Sequence, residues 1–321
     1  MVELNHITKL YGKKAAANDV SFRVEKGEIV GFLGPNGAGK TTTMNILTGY
    51  LSATGGNAKI DGIDILENPI AAKKKIGFLP ENPPLYLDMT VREYLSFVYD
   101  LKECKLKKKK HILEICDVVG IKDVYNRVIK NLSKGYKQRV GIAQALIGNP
   151  PVLIFDEPTV GLDPKQIIDI RNLIKGLGKN HTVILSSHIL PEVQAVCDRI
   201  VIINQGVIVA NEKAEDIQHI VSNRFKVLAK ICGPTEAVLR ALKAMPDVTY
   251  AEIANESQTD DSATYLIQSS ATVDIRKPLF YMLCEKGWPL IGLESAGASL
   301  EDIFINLVDG DNRHKKEATA G

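Results

Sequence analysis

The sequence of 321 residues lacks the features of membrane-spanning, secreted and metal-cluster proteins. No apolar run approaches the roughly 18 residues that a transmembrane helix needs. The first six residues contain neither a basic stretch nor an apolar core, so we expect no secretory signal peptide. The five cysteines include no Cys-x-x-Cys pair, which argues against zinc sites and disulfides. These absences predict a protein that stays in the cytosol.

An excess of charge of one sign is also missing. The 40 lysines and arginines are balanced by 38 aspartates and glutamates, which leaves a net charge of +2. We therefore expect no nucleic-acid partner. One local exception is the lysine-rich run 102–110, which we interpret as a solvated junction between helices rather than a contact for anionic lipid headgroups or an acidic partner loop.

The most informative stretch fits the pattern G-x-x-x-x-G-K-[ST] and follows the apolar run 28–33. This pattern is typical of a phosphate-binding loop between a strand and a helix, because its glycines let backbone N–H groups surround an anion. The predicted nucleotide-binding residues of this loop are Gly34, Pro35, Asn36, Gly37, Ala38, Gly39, Lys40, Thr41 and Thr42. We expect Lys40 to contact the β- and γ-phosphates, and Thr41 to bind the Mg²⁺ that bridges them.

Two further apolar runs end in polar residues that suit this chemistry. Residues 152–155 are apolar and lead into Asp156 and Glu157, and residues 182–187 lead into His188. Buried parallel strands place their carboxyl ends at one edge of a sheet, so these side chains should converge with the phosphate-binding loop. Adjacent residues of a strand point to opposite sides, which predicts different roles: Asp156 for the metal and Glu157 for the catalytic base.

These motifs, in this order, resemble the ATP-binding cassette (ABC) ATPases, the motor subunits of ABC transporters, over about the first 220 residues. The resemblance implies that residues 34–42 are the Walker A motif and residues 152–157 the Walker B motif. It implies that Tyr11, in the turn between predicted strands 2–11 and 20–24, stacks on adenine. It also implies that His188 contacts the γ-phosphate and that Asp163 belongs to the D-loop.

The family signature LSGGQ, which binds the ATP held by the opposite subunit, corresponds here to a serine-capped helix start with two substitutions. Its residues are Leu132, Ser133, Lys134, Gly135 and Tyr136. Lys134 replaces a glycine and brings a positive charge toward the partner's phosphates, so Lys134→Gly is expected to weaken ATP-driven dimerisation. A third departure is Glu81, which stands where the family usually has glutamine and which can also reach Mg²⁺.

The predicted fold class is α/β, a P-loop NTPase of the ABC ATPase type. It has a mixed sheet core, an antiparallel β subdomain and a helical subdomain at about 83–147. Beyond the ATPase domain, 1–220, the predicted order strand-helix-strand-strand-helix-strand indicates a ferredoxin-like α+β domain over 221–308. A capped helix from Ser299 closes it, and residues 309–321 are expected to be disordered. This extension resembles the drug-export and gliding-motility type of ABC ATPase.

The resemblance implies an ATPase that uses ATP and Mg²⁺. It also implies that ATP-driven dimerisation powers transport through a separate membrane subunit, in the direction of export. The expected partners are an integral membrane permease subunit and a second ATPase, identical or paralogous. The chain itself is expected to be cytoplasmic and to bind peripherally to the inner face of the cell membrane. Two alternatives stay open. One is a non-transport ABC ATPase of DNA repair or translation, and the other is a regulatory cassette that binds ATP without hydrolysis.

Overall fold

The computed structural model describes residues 2–221, 226–256, 262–269 and 273–295. The chain divides into two compact units, one up to Ala214 and one from Glu215 onward. This division lies close to the predicted boundary at residue 220, although the functional limits of the two domains stay a prediction. None of the described helices combines the length and the hydropathy that crossing a bilayer requires.

The first unit alternates strands and helices for most of its length. Its strands are β1 (Val2–Tyr11), β2 (Lys14–Val24), β3 (Ile29–Leu33), β4 (Gly55–Ile60), β5 (Ile63–Asp64), β6 (Ile76–Leu79), β7 (Val152–Asp156), β8 (Thr182–Ser187), β9 (Arg199–Asn204) and β10 (Val207–Lys213). Its helices are α1 (Lys40–Leu47), α2 (Pro69–Lys74), α3 (Val91–Leu101), α4 (Lys108–Val118), α5 (Lys134–Leu146), α6 (Pro164–Leu177) and α7 (Leu190–Gln194), and α8 (Ala214–Val221) leads into the second unit.

The central sheet has the strand order β10-β9-β3-β8-β7-β6 and confirms the predicted mixed core. All neighbouring strands are parallel except the β9-β10 pair. Every residue of β3, β7 and β8 is buried, as expected for strands covered on both faces. The carboxyl ends of these three strands therefore lie side by side and carry the three predicted polar segments to one edge.

The predicted antiparallel sheet is also present, with the order β2-β1-β4-β5. The turn between β4 and β5 contains Asp61 and Gly62, both at positive φ, which is the conformation that a tight hairpin requires. β2 begins six residues earlier than predicted, at Lys14 rather than Val20. Tyr11 is consequently the last residue of β1, and the turn itself is formed by the next two residues. The placement of Tyr11 within the turn is corrected accordingly.

The helical segment contains α3 and α4, as the apolar periodicity predicts. A reciprocal capping box fixes the start of α3, where Thr90 and Glu93 each accept from the other's backbone N–H. The lysine-rich run spans the end of α3 and the start of α4. Lys102 does not fit the predicted solvated junction. Its Nζ is turned toward the end of α5 and donates to the backbone carbonyls of Gln144, Ala145 and Ile147. Burial lowers the pKa of Lys102 to about 8.

The C-terminal end of α5 is also held by a side chain of α4. The backbone N–H of Gly148 donates to Nε2 of the buried His111 at 3.0 Å. Lys102 and His111 thus satisfy a helix end that would otherwise leave backbone groups unpaired. The connection from α5 to β7 is therefore anchored on α3 and α4, which fixes α5 relative to the central sheet.

This anchor predicts a pH-dependent loss of stability. Burial lowers the pKa of His111, and Glu114 opposes the effect. A lowered pKa in the folded state means that the contribution of His111 to stability is present above the unfolded pKa of about 6.5 and is lost as pH falls through the folded pKa. We expect His111→Gln, whose amide oxygen accepts the same bond without titrating, to flatten this dependence. Urea midpoints of both proteins between pH 5 and 8, followed by circular dichroism, test this; parallel curves would contradict it.

The described part of the second unit has the predicted order of elements. These are β11 (Lys226–Cys232), α9 (Thr235–Ala244), β12 (Val248–Glu256), β13 (Ser262–Ser269), α10 (Arg276–Lys286) and β14 (Leu290–Ser295). The strands form an antiparallel sheet in the order β12-β13-β11-β14. Pro278 lies in the first turn of α10, where proline is tolerated. The predicted helix from Ser299 and the tail 309–321 lie outside the described residues.

Candidate nucleotide-binding site

A cleft of about 440 Å³ lies at the edge where β3, β7 and β8 end. It gathers residues that are distant in sequence, including most of the predicted nucleotide-binding and catalytic side chains. The lining residues are Tyr11, Lys14, Ala16, Asn36, Gly37, Gly39, Lys40, Thr41, Thr42, Glu81, Glu157, Val160 and His188. The predicted convergence on one site is therefore a feature of the fold.

The phosphate-binding loop owes its shape to glycines that no other residue could replace without strain. Gly37 and Gly39 have φ values of 79° and 107°, in the region that favours glycine. A Cβ atom on Gly39 would lie 2.2 Å from the carbonyl oxygen of Ala16, and one on Gly34 would lie 2.4 Å from that of Ile203. The loop is thus pressed against neighbouring backbone, and it delivers Lys40 as the first residue of α1.

Lys40 is the central cation of the cleft. Its side chain is only 6% exposed. The Nζ atom donates to the carbonyl oxygens of Gly34 at 2.8 Å and Pro35 at 3.2 Å, and it lies 3.2 Å from Oε1 of Glu157. A lysine held this way points its charge into the loop that surrounds it. The arrangement can attract a phosphate, which would compete with Glu157 for the ammonium group.

Glu157 links Lys40 to His188. Its other carboxylate oxygen, Oε2, lies 3.0 Å from Nδ1 of His188. Strand β7 ends at Asp156, and Glu157 follows it with a φ of 48°, a left-handed conformation that is rare outside glycine and is found at functional sites. The prediction that both acids belong to the strand is therefore wrong for Glu157, because β7 ends at Asp156 and the backbone turns at the next residue.

Asp156 lies deeper, 1% exposed, at the end of β7. Its carboxylate accepts hydrogen bonds from the hydroxyls of Ser186 and Thr41. Burial raises the pKa of Asp156, while these two hydrogen bonds oppose the rise. A carboxylate beside the Thr41 hydroxyl is a donor set of hard oxygens, which fits a magnesium ion. Asp156 and Glu157 thus serve different neighbours, as the sequence predicts.

Two predicted residues lie at the rim of the cleft. The Tyr11 ring is 54% exposed, and Nζ of Lys9 lies 5.5 Å from its centroid. An exposed ring with one face free of the core can stack on a flat heterocycle. Glu81 is two residues beyond the end of β6, after Pro80. Its side chain is exposed and lines the cleft.

The signature segment 132–136 and the D-loop segment 161–163 belong to a different surface, since none of their residues is among those lining the cleft. Ser133 caps α5 and accepts from the N–H of Tyr136, and Asp163 caps α6 and accepts from the N–H of Gln166 at 3.0 Å. The hydroxyl of Tyr136 donates to Asp123 at 2.7 Å. Serine and aspartate are both common helix caps, and neither segment reaches the cleft of its own chain.

The sequence analysis did not identify two residues, Ser186 and Thr159, whose hydrogen bonds support the site. Ser186 donates to Asp156 and accepts from the N–H of Glu157 at 3.0 Å. No sequence signal identifies Ser186, because its position opposite Asp156 depends on the register in which the parallel strands β7 and β8 pair. Thr159 donates to the buried Glu192 at 2.5 Å and so ties the loop after β7 to α7. No motif pointed to that bond, which only packing creates.

The fold and this cleft define a P-loop nucleotide-binding protein, and comparisons with known proteins place it more narrowly. The profile of the ABC transporter family matches residues 17–160. The linearmycin resistance ATP-binding protein LnrL of Bacillus subtilis is 34% identical over 314 residues, 96% of this chain and 98% of that protein. The bacitracin transport ATP-binding protein BcrA of Bacillus licheniformis is 31% identical, over 97% of this chain and 98% of that protein.

A solved structure agrees with the sequence relatives. It is the ATP-binding cassette MJ0796, described as a dimer in a post-hydrolysis state bound to ADP and Pi. The two structures have a TM-score of 0.60 and 30% sequence identity, and the match covers 67% of this chain and 99% of that one. The chain therefore belongs to the ABC transporter family and is an ATP-binding subunit of this family. The predicted resemblance is confirmed.

Proposed function

We propose that this chain hydrolyses ATP to power export through a separate integral membrane permease, to which it binds at the inner face of the cell membrane. The observation that carries the proposal is the connected set Lys40, Glu157 and His188 at the carboxyl ends of the parallel strands. A cation, a carboxylate and an imidazole in one cleft supply charge stabilisation, a base and a γ-phosphate contact.

We assign a separate task to each group of the cleft. The loop 34–42 and Lys40 hold the phosphates of ATP, Thr42 adds a hydroxyl near the α- and β-phosphates, and the exposed ring of Tyr11 stacks on adenine. Asp156 and Thr41, together with Glu81, would hold Mg²⁺, which neutralises phosphate charge when bound. These roles rest on the positions of the side chains around the cleft.

Hydrolysis needs a base that is free to accept a proton from water. Glu157 suits this role because its carboxylate already lies between Lys40 and His188. When the γ-phosphate attracts Lys40, Oε1 of Glu157 becomes available to orient a water and take its proton. His188 then steadies Oε2 and contacts the γ-phosphate, so the two acid oxygens have separate partners.

A dimer, of two identical chains or with a paralogous ATPase, completes the proposal. The signature segment lies outside the cleft of its own chain, and the related cassette MJ0796 is described as dimeric. We infer that Ser133 and the start of α5 close over the ATP of the opposite subunit, where helix N–H groups favour an anion. Binding of ATP would then close the dimer and hydrolysis would reopen it.

Export is favoured over a non-transport or regulatory role by two observations. Relatives matched over nearly the whole chain include one named for linearmycin resistance and one for bacitracin transport. Glu157 and His188 are both present and in contact, which an ATP switch without hydrolysis would not require. Steady-state ATPase activity and ATP-dependent dimerisation of the purified chain test the motor directly. The proposal would be contradicted if the chain showed neither ATP turnover nor dimerisation with Mg-ATP, both alone and together with the permease.

Glu81 provides a prediction of its own for this site. A carboxylate near the γ-phosphate adds repulsion that a bound Mg²⁺ would relieve, whereas a glutamine amide would not repel. We expect Glu81→Gln to make ATP binding less dependent on Mg²⁺, by about tenfold in the ratio of ATP affinities with and without the ion. Fluorescent-nucleotide titrations with Mg²⁺ and with EDTA measure this ratio. The same Mg²⁺ dependence in Glu81→Gln and in the wild type would contradict the proposed role of Glu81.

A further inference from the structure

The residue that departs from the family signature makes a contact within its own chain. The end of the Lys134 side chain lies directly against Gly161 of the D-loop segment 161–163. A Cβ atom on Gly161 would be 2.0 Å from Nζ and 3.2 Å from Cε of Lys134. Gly161 also has a φ of 67°, which favours glycine. The exposed Lys134 side chain thus rests, in this conformation, in the space that a side chain at residue 161 would enter.

A second contact joins the same two helix starts. A Cβ atom on Gly135 would lie 2.7 Å from the side-chain amide carbon and oxygen of Gln166, in the first turn of α6. The first turn of α5 is therefore packed against the first turn of α6 at one point and, through Lys134, against the preceding loop at another. Two contacts on either side of Asp163 thus join the D-loop segment and the first turn of α6 to the start of α5.

We propose that Lys134 is a positioning residue that couples the signature segment to the D-loop of the same chain, so that both are presented to the opposite subunit as one rigid surface. The proposal rests on the proposed ATP-driven dimer. Lys134 acts here through the extended length of its side chain rather than through its charge. Among the described residues, no hydrogen bond or ion pair of its Nζ engages a carboxylate, whereas Gly161 lies in direct contact with it.

This role differs from the one that the sequence suggests. A lysine that attracts the partner's phosphates would act by charge, and its removal would weaken ATP binding in the dimer. A lysine that holds the D-loop would act by packing, and its removal would lower kcat at a nearly unchanged KM, because the reacting groups are misplaced while the phosphate contacts stay. Lys134→Met separates the two, since it keeps the length as far as Cε and removes the charge.

The test is a double-mutant cycle of Lys134→Ala and Gly161→Ala, read by ATPase kinetics and by thermal unfolding. We expect Gly161→Ala to lower kcat about tenfold in the wild-type background, and only about threefold beside Lys134→Ala, because the backbone strain stays but the clash is relieved. Lys134→Ala alone should lower kcat about fivefold with KM within twofold, and Lys134→Met should restore most of it.

Two outcomes would overturn the proposal. One is an equal effect of Gly161→Ala in both backgrounds, and the other is a Lys134→Met variant that matches Lys134→Ala and raises KM, which would assign the residue to charge. The unfolding temperature reads the contact without requiring catalysis, so it should show the same relief of Gly161→Ala by Lys134→Ala. A wild-type chain without ATP turnover would contradict the proposed function while leaving this cycle interpretable.

Discussion

We expect Glu157→Gln to lower ATP turnover by at least about 100-fold while ATP binding is kept, because an amide cannot accept the proton of the attacking water. The substitution preserves the shape of the side chain. It also removes the negative charge that lies 3.2 Å from Nζ of Lys40, which leaves that lysine free for the γ-phosphate. ATP should therefore be held longer, and the ATP-bound dimer should accumulate.

The measurement combines phosphate release with size-exclusion chromatography in Mg-ATP. Glu67→Gln is a matched control, since it makes the same chemical change at an exposed carboxylate outside the cleft. We expect the control to turn over like the wild type and to show no trapped dimer. A Glu157→Gln protein that hydrolyses ATP at a wild-type rate would exclude Glu157 as the base.

Removal of the central cation has the second large effect, in a different step. We expect Lys40→Met to weaken ATP binding by about 10- to 100-fold, since a charged group's hydrogen bonds to phosphate are lost. Methionine keeps the apolar stem but not the ammonium group that bonds to Gly34 and Pro35 and pairs with Glu157. Turnover should fall with it, and no ATP-dependent dimer should form.

Nucleotide titration and the chromatography of the previous experiment distinguish the two variants. Lys26→Ala controls for loss of a positive charge, because Lys26 is exposed and lies outside the cleft. The contrast is the informative result: Glu157→Gln should bind ATP and accumulate as a dimer, whereas Lys40→Met should do neither. Wild-type ATP affinity in Lys40→Met would contradict the assignment of Lys40 to the phosphates.

The sequence by itself determined the features that depend on neighbouring residues. The glycines and Lys40 of the phosphate-binding loop meet a local backbone requirement, so their pattern is readable without the fold. Apolar runs such as 152–155 revealed buried strands because burial on both faces removes the polar alternation. The rule that parallel strands end at one edge then placed Glu157 and His188 together, and the hydrogen bond between their side chains agrees.

Only the tertiary structure decided how sequence-distant elements meet. Ser186 lies 30 residues from Asp156 and supports it because β7 and β8 pair in that register. Lys102 is partly buried and anchors α5, although it belongs to a run that resembles a solvated junction in the sequence. Lys134 contacts Gly161, which no motif indicates. The physical reason is that motifs and periodicity are properties of a short segment, whereas side-chain burial, hydrogen-bond partners and steric contacts are set by packing between segments.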